Sequence, residues 1–177
     1  VTNTMFAAPS QSLEAARSLA EKAGCDVEIL GDALEGEARD VAATHADLAL
    51  RRQKERGASE RPLILLSGGE LTVTRRGDGV GGPNAEYALA LANALKGAAG
   101  VHAIACDTDG VDGAAEVAGA IIGPGTPSRA TARGVSMSDA LDRNDAHEFF
   151  RAIGDQVVTG PTLTNVNDFR AIYINGV

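Results

Sequence analysis

Three carboxylates fall within six residues in the segment Cys106-Asp107-Thr108-Asp109-Gly110-Val111-Asp112-Gly113. Two carboxylates about 4 Å apart repel by roughly 4 kcal/mol at an effective dielectric near 20. Water, a shared proton or a cation must offset that repulsion, so the pattern suits a metal or phosphate site. A solvated acidic turn is the simpler alternative, because Asp and Gly are ordinary turn residues. Directly upstream, the apolar run 101–105 is short and flanked by glycines, and reads as a buried strand. Ligands in α/β folds bind outside the carboxyl ends of strands, which is where these acids stand.

Three further segments could do chemistry. Ser67-Gly68-Gly69-Glu70 follows the apolar run Leu63-Ile64-Leu65-Leu66. Glycines let backbone N–H groups approach an anion, and Ser67 adds a hydroxyl; a tight turn between two strands is the favoured alternative. Gly77-Asp78-Gly79-Val80-Gly81-Gly82 satisfies G-x-G-x-x-G between a strand and a helix opened by Pro83. Such a helix N-terminus offers free N–H donors to a phosphate. Asp107 ends the next strand, where a ribose-binding acid could sit. It lies 25 residues past Gly82, however, and Asp109 and Asp112 would crowd a dinucleotide. A hairpin-like tip is the bland alternative. Finally, the stretch from Thr159 to Asp168 is dense in small hydrogen-bonding side chains. It suits hydroxyls or phosphate oxygens, or simply turn chemistry before a last strand. We read His45, His102 and His147 as structural, and Cys106 as a small apolar residue.

An absence is equally informative. No G-x-x-x-x-G-K-[ST] occurs, and Lys22, Lys54 and Lys96, the only lysines, all lie outside the glycine-rich loops. Phosphoryl transfer needs positive charge beyond a metal. Arg75 and Arg76 precede the glycine loop, yet the site looks half-built, as expected if another domain supplies the basic residues.

These residues must be positioned by 177 residues, enough for one domain with a small lead-in. The chain is 44% hydrophobic but only 3% aromatic, so packing must rest on Ala, Leu, Val and Ile. A net charge of −8 argues against nucleic acid and an anionic membrane as partners. No apolar run is long enough to span a bilayer, no signal peptide is visible, and two cysteines make no disulfide framework. A cytoplasmic location is the default. The start at Val1 and the end after a strand look like a piece of a longer protein.

The spacing predicts a weak strand over 4–8, a helix closed by Gly24, and a strand over 27–30. A long helix follows from about Gly36 to Arg56. Strands are expected at 63–66, 71–74, 101–106 and 169–174, an apolar stretch lies around 119–122, and helices are expected from Pro83, over 126–133 and over 145–153. Alternating strands and helices imply a layered α/β/α domain with a mostly parallel or mixed central sheet.

Together these segments resemble the C-terminal (MOFRL) domain of the class II glycerate 2-kinases, once often labelled hydroxypyruvate reductases. The resemblance rests on Ser67-Gly68-Gly69-Glu70 with Thr72-Val73, on Gly81-Gly82-x-Asn84-x-Glu86, on Asp107-Thr108-Asp109-Gly110-x-Asp112-Gly113, and on Thr159 to Asp168. Asn144-Asp145 looks like the family's Asn-Asp pair. The sequence departs from the commonest pattern at Pro83 (Arg in many relatives), Ala85 (Gln) and Leu163 (Gly). The resemblance implies transfer of the ATP γ-phosphoryl group to the 2-hydroxyl of D-glycerate with Mg²⁺. Residues 1–60 would be inter-domain sequence and 61–177 the C-terminal domain, one wall of a cleft shared with an N-terminal domain. This chain alone would carry an incomplete, inactive site. Asp107, Asp109 and Asp112 would be catalytic, with Asp107 and Asp109 on the metal and one acid taking the hydroxyl proton. Ser67, Gly68, Gly69, Glu70, Gly79, Gly81, Gly82, Asn84 and Glu86 would contact phosphate or nucleotide. Thr159, Thr162, Thr164, Asn165 and Asn167 would line the substrate side. The alternatives are an NAD(P)H-dependent hydroxypyruvate reductase and a non-catalytic anion-binding module.

Overall fold

Proline and glycine mark where the elements begin and end. The computed structural model describes residues 8–176, so the strand expected over 4–8 lies outside the described residues except for Ala8. Helix α1 (Pro9–Lys22) opens on Pro9 and stops before Gly24, whose φ of +90° a side chain would resist. Then follow β1 (Asp26–Gly31), the two-residue β2 (Gly36–Glu37) and α2 (Ala38–Glu55). The helix starts two residues later than expected because Gly36 and Glu37 pair in parallel with β4 (Leu71–Thr72). That pairing also corrects the 71–74 expectation: the strand is only two residues long and pairs with β2.

Strand β3 (Leu63–Gly69) is longer than its apolar run. Ser67, Gly68 and Gly69, expected as a turn, continue the ladder because β8 (Asp168–Ile174) runs antiparallel beside them and supplies backbone partners. After α3 (Pro83–Leu95) come β5 (Val101–Asp107), β6 (Gly119–Ile122), α4 (Thr126–Arg133), α5 (Met137–Asp142), α6 (Ala146–Ile153) and β7 (Gln156–Val157). Neither α5 nor β7 was expected, both being too short to show a periodicity.

The result is an α/β fold around a mixed six-stranded sheet in the order β1-β3-β8-β5-β6-β7. Strands β1 and β3 are parallel, while the last strand of the chain, β8, inserts antiparallel between β3 and β5. The lead-in contributes β1 to this sheet, and α2 packs on α3.

Helix α3 is the hub of the core. Its residues are buried from Asn84 through Ala92, because α2, the sheet, α5 and α6 surround it. Alanines at 42, 46 and 49 on α2 and at 85, 88 and 92 on α3 let the two helices approach closely. Leu89 and Leu91 are fully buried, each contributing about 1.5–3 kcal/mol. Helix α1 lies on β1 and β3, with Leu13 and Ala20 buried outside the main cluster. A shallow apolar groove over β3, β8, β5 and β6 presents Ile64, His102, Ile104, Ile121 and Tyr173. Among the described residues, no helix is long and apolar enough to cross a membrane.

Candidate functional site

Three strand ends converge. Gly69 of β3 pairs with Asp168 of β8, and Asp168 pairs with Asp107 of β5, so the ladder ends in one row. Beside this row opens a cleft of about 230 Å³, lined by Glu70, Leu71, Pro83, Asp107, Asp112, Gly113, Asn165, Asn167 and Asp168. All four of the separated segments reach it, the Gly81–Glu86 segment through Pro83 alone, with Gly81, Gly82, Asn84 and Glu86 outside the lining. Among the described residues, no Lys or Arg lines it.

The acidic turn is built from two consecutive Asx turns. Asp107 Oδ1 accepts the Asp109 N–H at 2.9 Å, and Asp109 Oδ1 accepts the Val111 N–H at 2.8 Å. Gly110, at φ +96°, is pressed against Thr159-Gly160, and a Cβ there would lie 2.3 Å from the Gly160 carbonyl oxygen. The late loop folds over the turn: Thr162 N donates to Asp109 O, and Asn165 Nδ2 donates to Asp109 Oδ2 at 3.4 Å. Asn165 and Asn167 line the cleft. Thr159 and Thr162 spend their hydroxyls on the carbonyls of Gly160 and Thr108, and Thr164 is exposed outside the cleft lining.

Asp112 is held differently. It is 1% exposed, and its carboxylate accepts the N–H groups of Asn84 (2.9 Å) and Ala85 (2.8 Å) at the start of α3. The free donors expected at that helix end are therefore taken from within the chain. His147, on α6, places Nε2 3.1 Å from the Asp112 carbonyl oxygen and 3.4 Å from its carboxylate. Both partners are acceptors, so Nε2 carries the proton. Burial pushes the Asp112 carboxyl upward, and the Asn84 and Ala85 N–H groups oppose that rise.

The glycine loop is clamped from the segment before α6. Asn144 Oδ1 accepts Arg76 N and Gly77 N, Arg143 O accepts Gly79 N, and Asp145 Oδ1 accepts Val80 N. A Cβ on Gly79 would lie 2.5 Å from the Asp145 Cβ, and one on Gly82 would lie 2.4 Å from the Asp112 Cγ. These glycines give clearance for close packing. Gly79, Gly81 and Glu86 border a separate cavity of about 140 Å³, outside the cleft lining. Glu86 is fully buried and pairs with Arg39 of α2 and with Asn144. Burial pushes its carboxyl up, while Arg39 pulls it down.

At the other side, Ser67 is buried and its hydroxyl receives Arg170 Nε. Gly68 and Gly69 are sandwiched against residues 32–34, where a Cβ on Gly69 would meet the Leu34 backbone at 2.2 Å. Of that signature, Glu70 alone reaches the cleft. Asn84 bridges two acids: its Nδ2 donates to Asp112 Oδ1 and, at 2.7 Å, to Asp168 Oδ1.

Asp168, Arg170 and His147 were not among the expected site residues. A signal for two of them existed. Asp168 and Arg170 share the parity of Ile172 and Ile174, the inward face of β8, where charges are costly unless paired. His147 gave none, since its partner lies 35 residues away.

Burial, together with the charges of Asp109 and Asp168, pushes the Asp107 carboxyl up to about 6, although the Asp109 N–H favours its ionised form. A cation beside such a group relieves its burden, and hard carboxylate and amide oxygens suit Mg²⁺. Among the described residues no group of three or more His, Cys, Asp or Glu side chains is gathered as a metal cage. One or two carboxylates plus water and phosphate oxygens is the usual Mg²⁺ environment in phosphoryl-transfer sites, so Asp107, which lines the cleft, fits, while Asp109 lies outside the lining with its oxygens turned to Val111 and Asn165. Burial drives the neighbouring Cys106 thiol up to about 11, which leaves it a poor nucleophile.

Fold and site thus define an α/β domain with an acid-lined cleft at its strand ends. Residues 63–168 match the MOFRL family, and the chain belongs to it. A protein of Agrobacterium vitis carrying a hydroxypyruvate reductase name is 48% identical over 172 residues, covering 96% of this chain and 45% of that protein. The D-glycerate 2-kinase of Thermotoga maritima is 37% identical over 153 residues, covering 86% of this chain and 37% of the kinase. The crystal structure of a glycerate kinase from Thermotoga maritima superposes with a TM-score of 0.92 at 33% identity, over 97% of this chain and 41% of that one. The chain therefore spans about two-fifths of the length of these relatives.

Proposed function

We propose that this chain forms one wall of the active site of a glycerate 2-kinase, which moves the γ-phosphoryl group of ATP to the 2-hydroxyl of D-glycerate with Mg²⁺. Residues 61–177 would be its C-terminal domain, preceded by an inter-domain segment. The observation that carries the reading is the single row Gly69–Asp168–Asp107, beside which residues of four distant signatures meet in one cleft. The kinase names among the relatives support it.

Asp107 and Asp109 would hold Mg²⁺, which when bound neutralises charge on the transferring phosphoryl group. Asn165 and Asn167 offer amide donors and acceptors to substrate hydroxyls. Asp112 and Asn84 act from behind, fixing α3 to the turn and to Asp168. The cleft holds acids and no base, so the cations that bind phosphate and carboxylate belong to the facing domain. The reductase reading lacks a cradle: amides at Arg76, Gly77, Gly79 and Val80 are already bonded within the chain.

The test is product analysis by mass spectrometry on the full-length protein carrying this chain, given D-glycerate, Mg·ATP and NAD⁺ together. Phosphoglycerate is the expected product. Hydroxypyruvate would replace this reading with the reductase.

A further inference from the structure

Among the described residues, Arg170 is the only Lys or Arg with its whole side chain removed from solvent, at 1% exposure. Its planar fork spends every nitrogen. Nη1 donates to Asp168 Oδ2 at 3.0 Å, Nη2 to the carbonyls of Gly68 (2.8 Å) and Gly69 (3.1 Å), and Nε to Ser67 Oγ at 3.4 Å. The guanidinium also stacks over Tyr87 of α3, 5.7 Å from the ring centroid.

A buried ion pair is seldom better for stability than an apolar pair of the same volume, because two charges must leave water. Stability is therefore a weak reason for an Asp168–Arg170 pair on a buried strand face continued by Ile172 and Ile174. Geometry is a stronger one. The fork grips the last residues of β3, which lead into Glu70, and the first residue of β8, which pairs with Asp107. We propose that Arg170 is the positioning residue of the cleft: it locks the ends of β3 and β8 together, so that Glu70 and Asp107 face the opening in one fixed arrangement. The inference rests on reading the cleft as the cation-holding half-site. Arg170 is not among the cleft-lining residues, and its charge is spent on Asp168.

A lysine keeps the charge but is a point donor, unable to span the carboxylate and both carbonyls in one plane. Arg170→Lys is compared with Ile172→Val, a purely apolar lesion on the same face of β8. Backbone amide shifts and Mn²⁺ affinity (by paramagnetic broadening) are measured on the 177-residue chain. Arg170→Lys is expected to move the amides of Glu70, Asp107 and Asp109 and to weaken Mn²⁺ binding about tenfold. Ile172→Val is expected to move none of those three and to leave Mn²⁺ affinity unchanged. Amides of Glu70 and Asp107 that stay in place in the lysine variant overturn the proposal, whatever happens to the melting temperature. If the unsubstituted chain binds no Mn²⁺, the cation-site reading falls while the amide shifts still decide the role of Arg170. Should the lysine variant not fold, Asp168→Asn severs the same link from the other side; because Asp168 itself lines the cleft beside Asp107, only the Glu70 amide is read in that variant, and a Glu70 amide that stays in place overturns the proposal.

Discussion

Asp107 and Asp168 stand directly opposite one another across β5 and β8, yet only Asp168 has a counter-charge. Arg170 and Asn84 hold the two oxygens of Asp168, while Asp107 accepts one N–H, that of Asp109. The pair is therefore asymmetric: one carboxylate is fixed and compensated, the other is open and carries the burden of its surroundings.

That asymmetry has a pH signature. The Asp107 carboxyl rises from 3.8 to about 6, so between those values the folded chain holds a proton that the unfolded chain has released. Its contribution to stability accordingly falls as pH rises through that window. Asp107→Asn removes the penalty. Its melting temperature is expected to exceed that of the unsubstituted chain at about pH 7.5, with the difference closing below about pH 4. A variant that melts lower at neutral pH would show that the carboxylate is already compensated in the free chain.

Asp112 predicts the opposite sign. Its oxygens satisfy the first N–H groups of α3, so Asp112→Ala orphans buried donors and is expected to cost about 2 kcal/mol or more in urea unfolding. Equal losses for the Asp107 and Asp112 substitutions would dissolve the distinction between an uncompensated acid and a helix anchor.

His45, on α2, sets a second pH dependence. It is buried with Nδ1 2.8 Å from the Tyr87 hydroxyl, and burial first, with Arg170 second, lowers it from 6.5 to about 4. The unfolded chain therefore takes up this proton first as pH falls. The contribution is complete above about pH 6.5, declines below it and is lost by about pH 4, a span of up to about 3 kcal/mol. His45→Asn keeps a polar atom near Tyr87 without the titration. Unfolding free energies measured from pH 7 to 4 should flatten in that variant; an unchanged slope would assign the effect elsewhere.

Leu163 takes a left-handed backbone, φ +60°, and is 97% exposed. A leucine there is strained and almost wholly exposed, a backbone conformation that glycine adopts without penalty. Leu163→Gly is expected to raise stability by up to about 1 kcal/mol, the left-handed penalty less the entropy of glycine. A lower urea midpoint would mean that the loop is ordered by something other than its backbone.

Periodicity and punctuation alone specified the alternation of strands and helices, the start of α3 at Pro83, and the acids at the end of β5. Those are local properties, written in side-chain spacing over a few residues. Sequence order also held the four signatures, but not their meeting point. That depended on β8 inserting between β3 and β5, a non-local pairing of residues about 100 and 60 positions apart. The same pairing turned Ser67-Gly68-Gly69 from a turn into a strand and buried Arg170 behind it. Asn144 shows the limit most clearly: its side chain holds the glycine loop across 67 residues. Whether a glycine-rich loop offers its amides to a ligand is a question of which distant acceptor reaches them first, and only the folded chain brings that acceptor near.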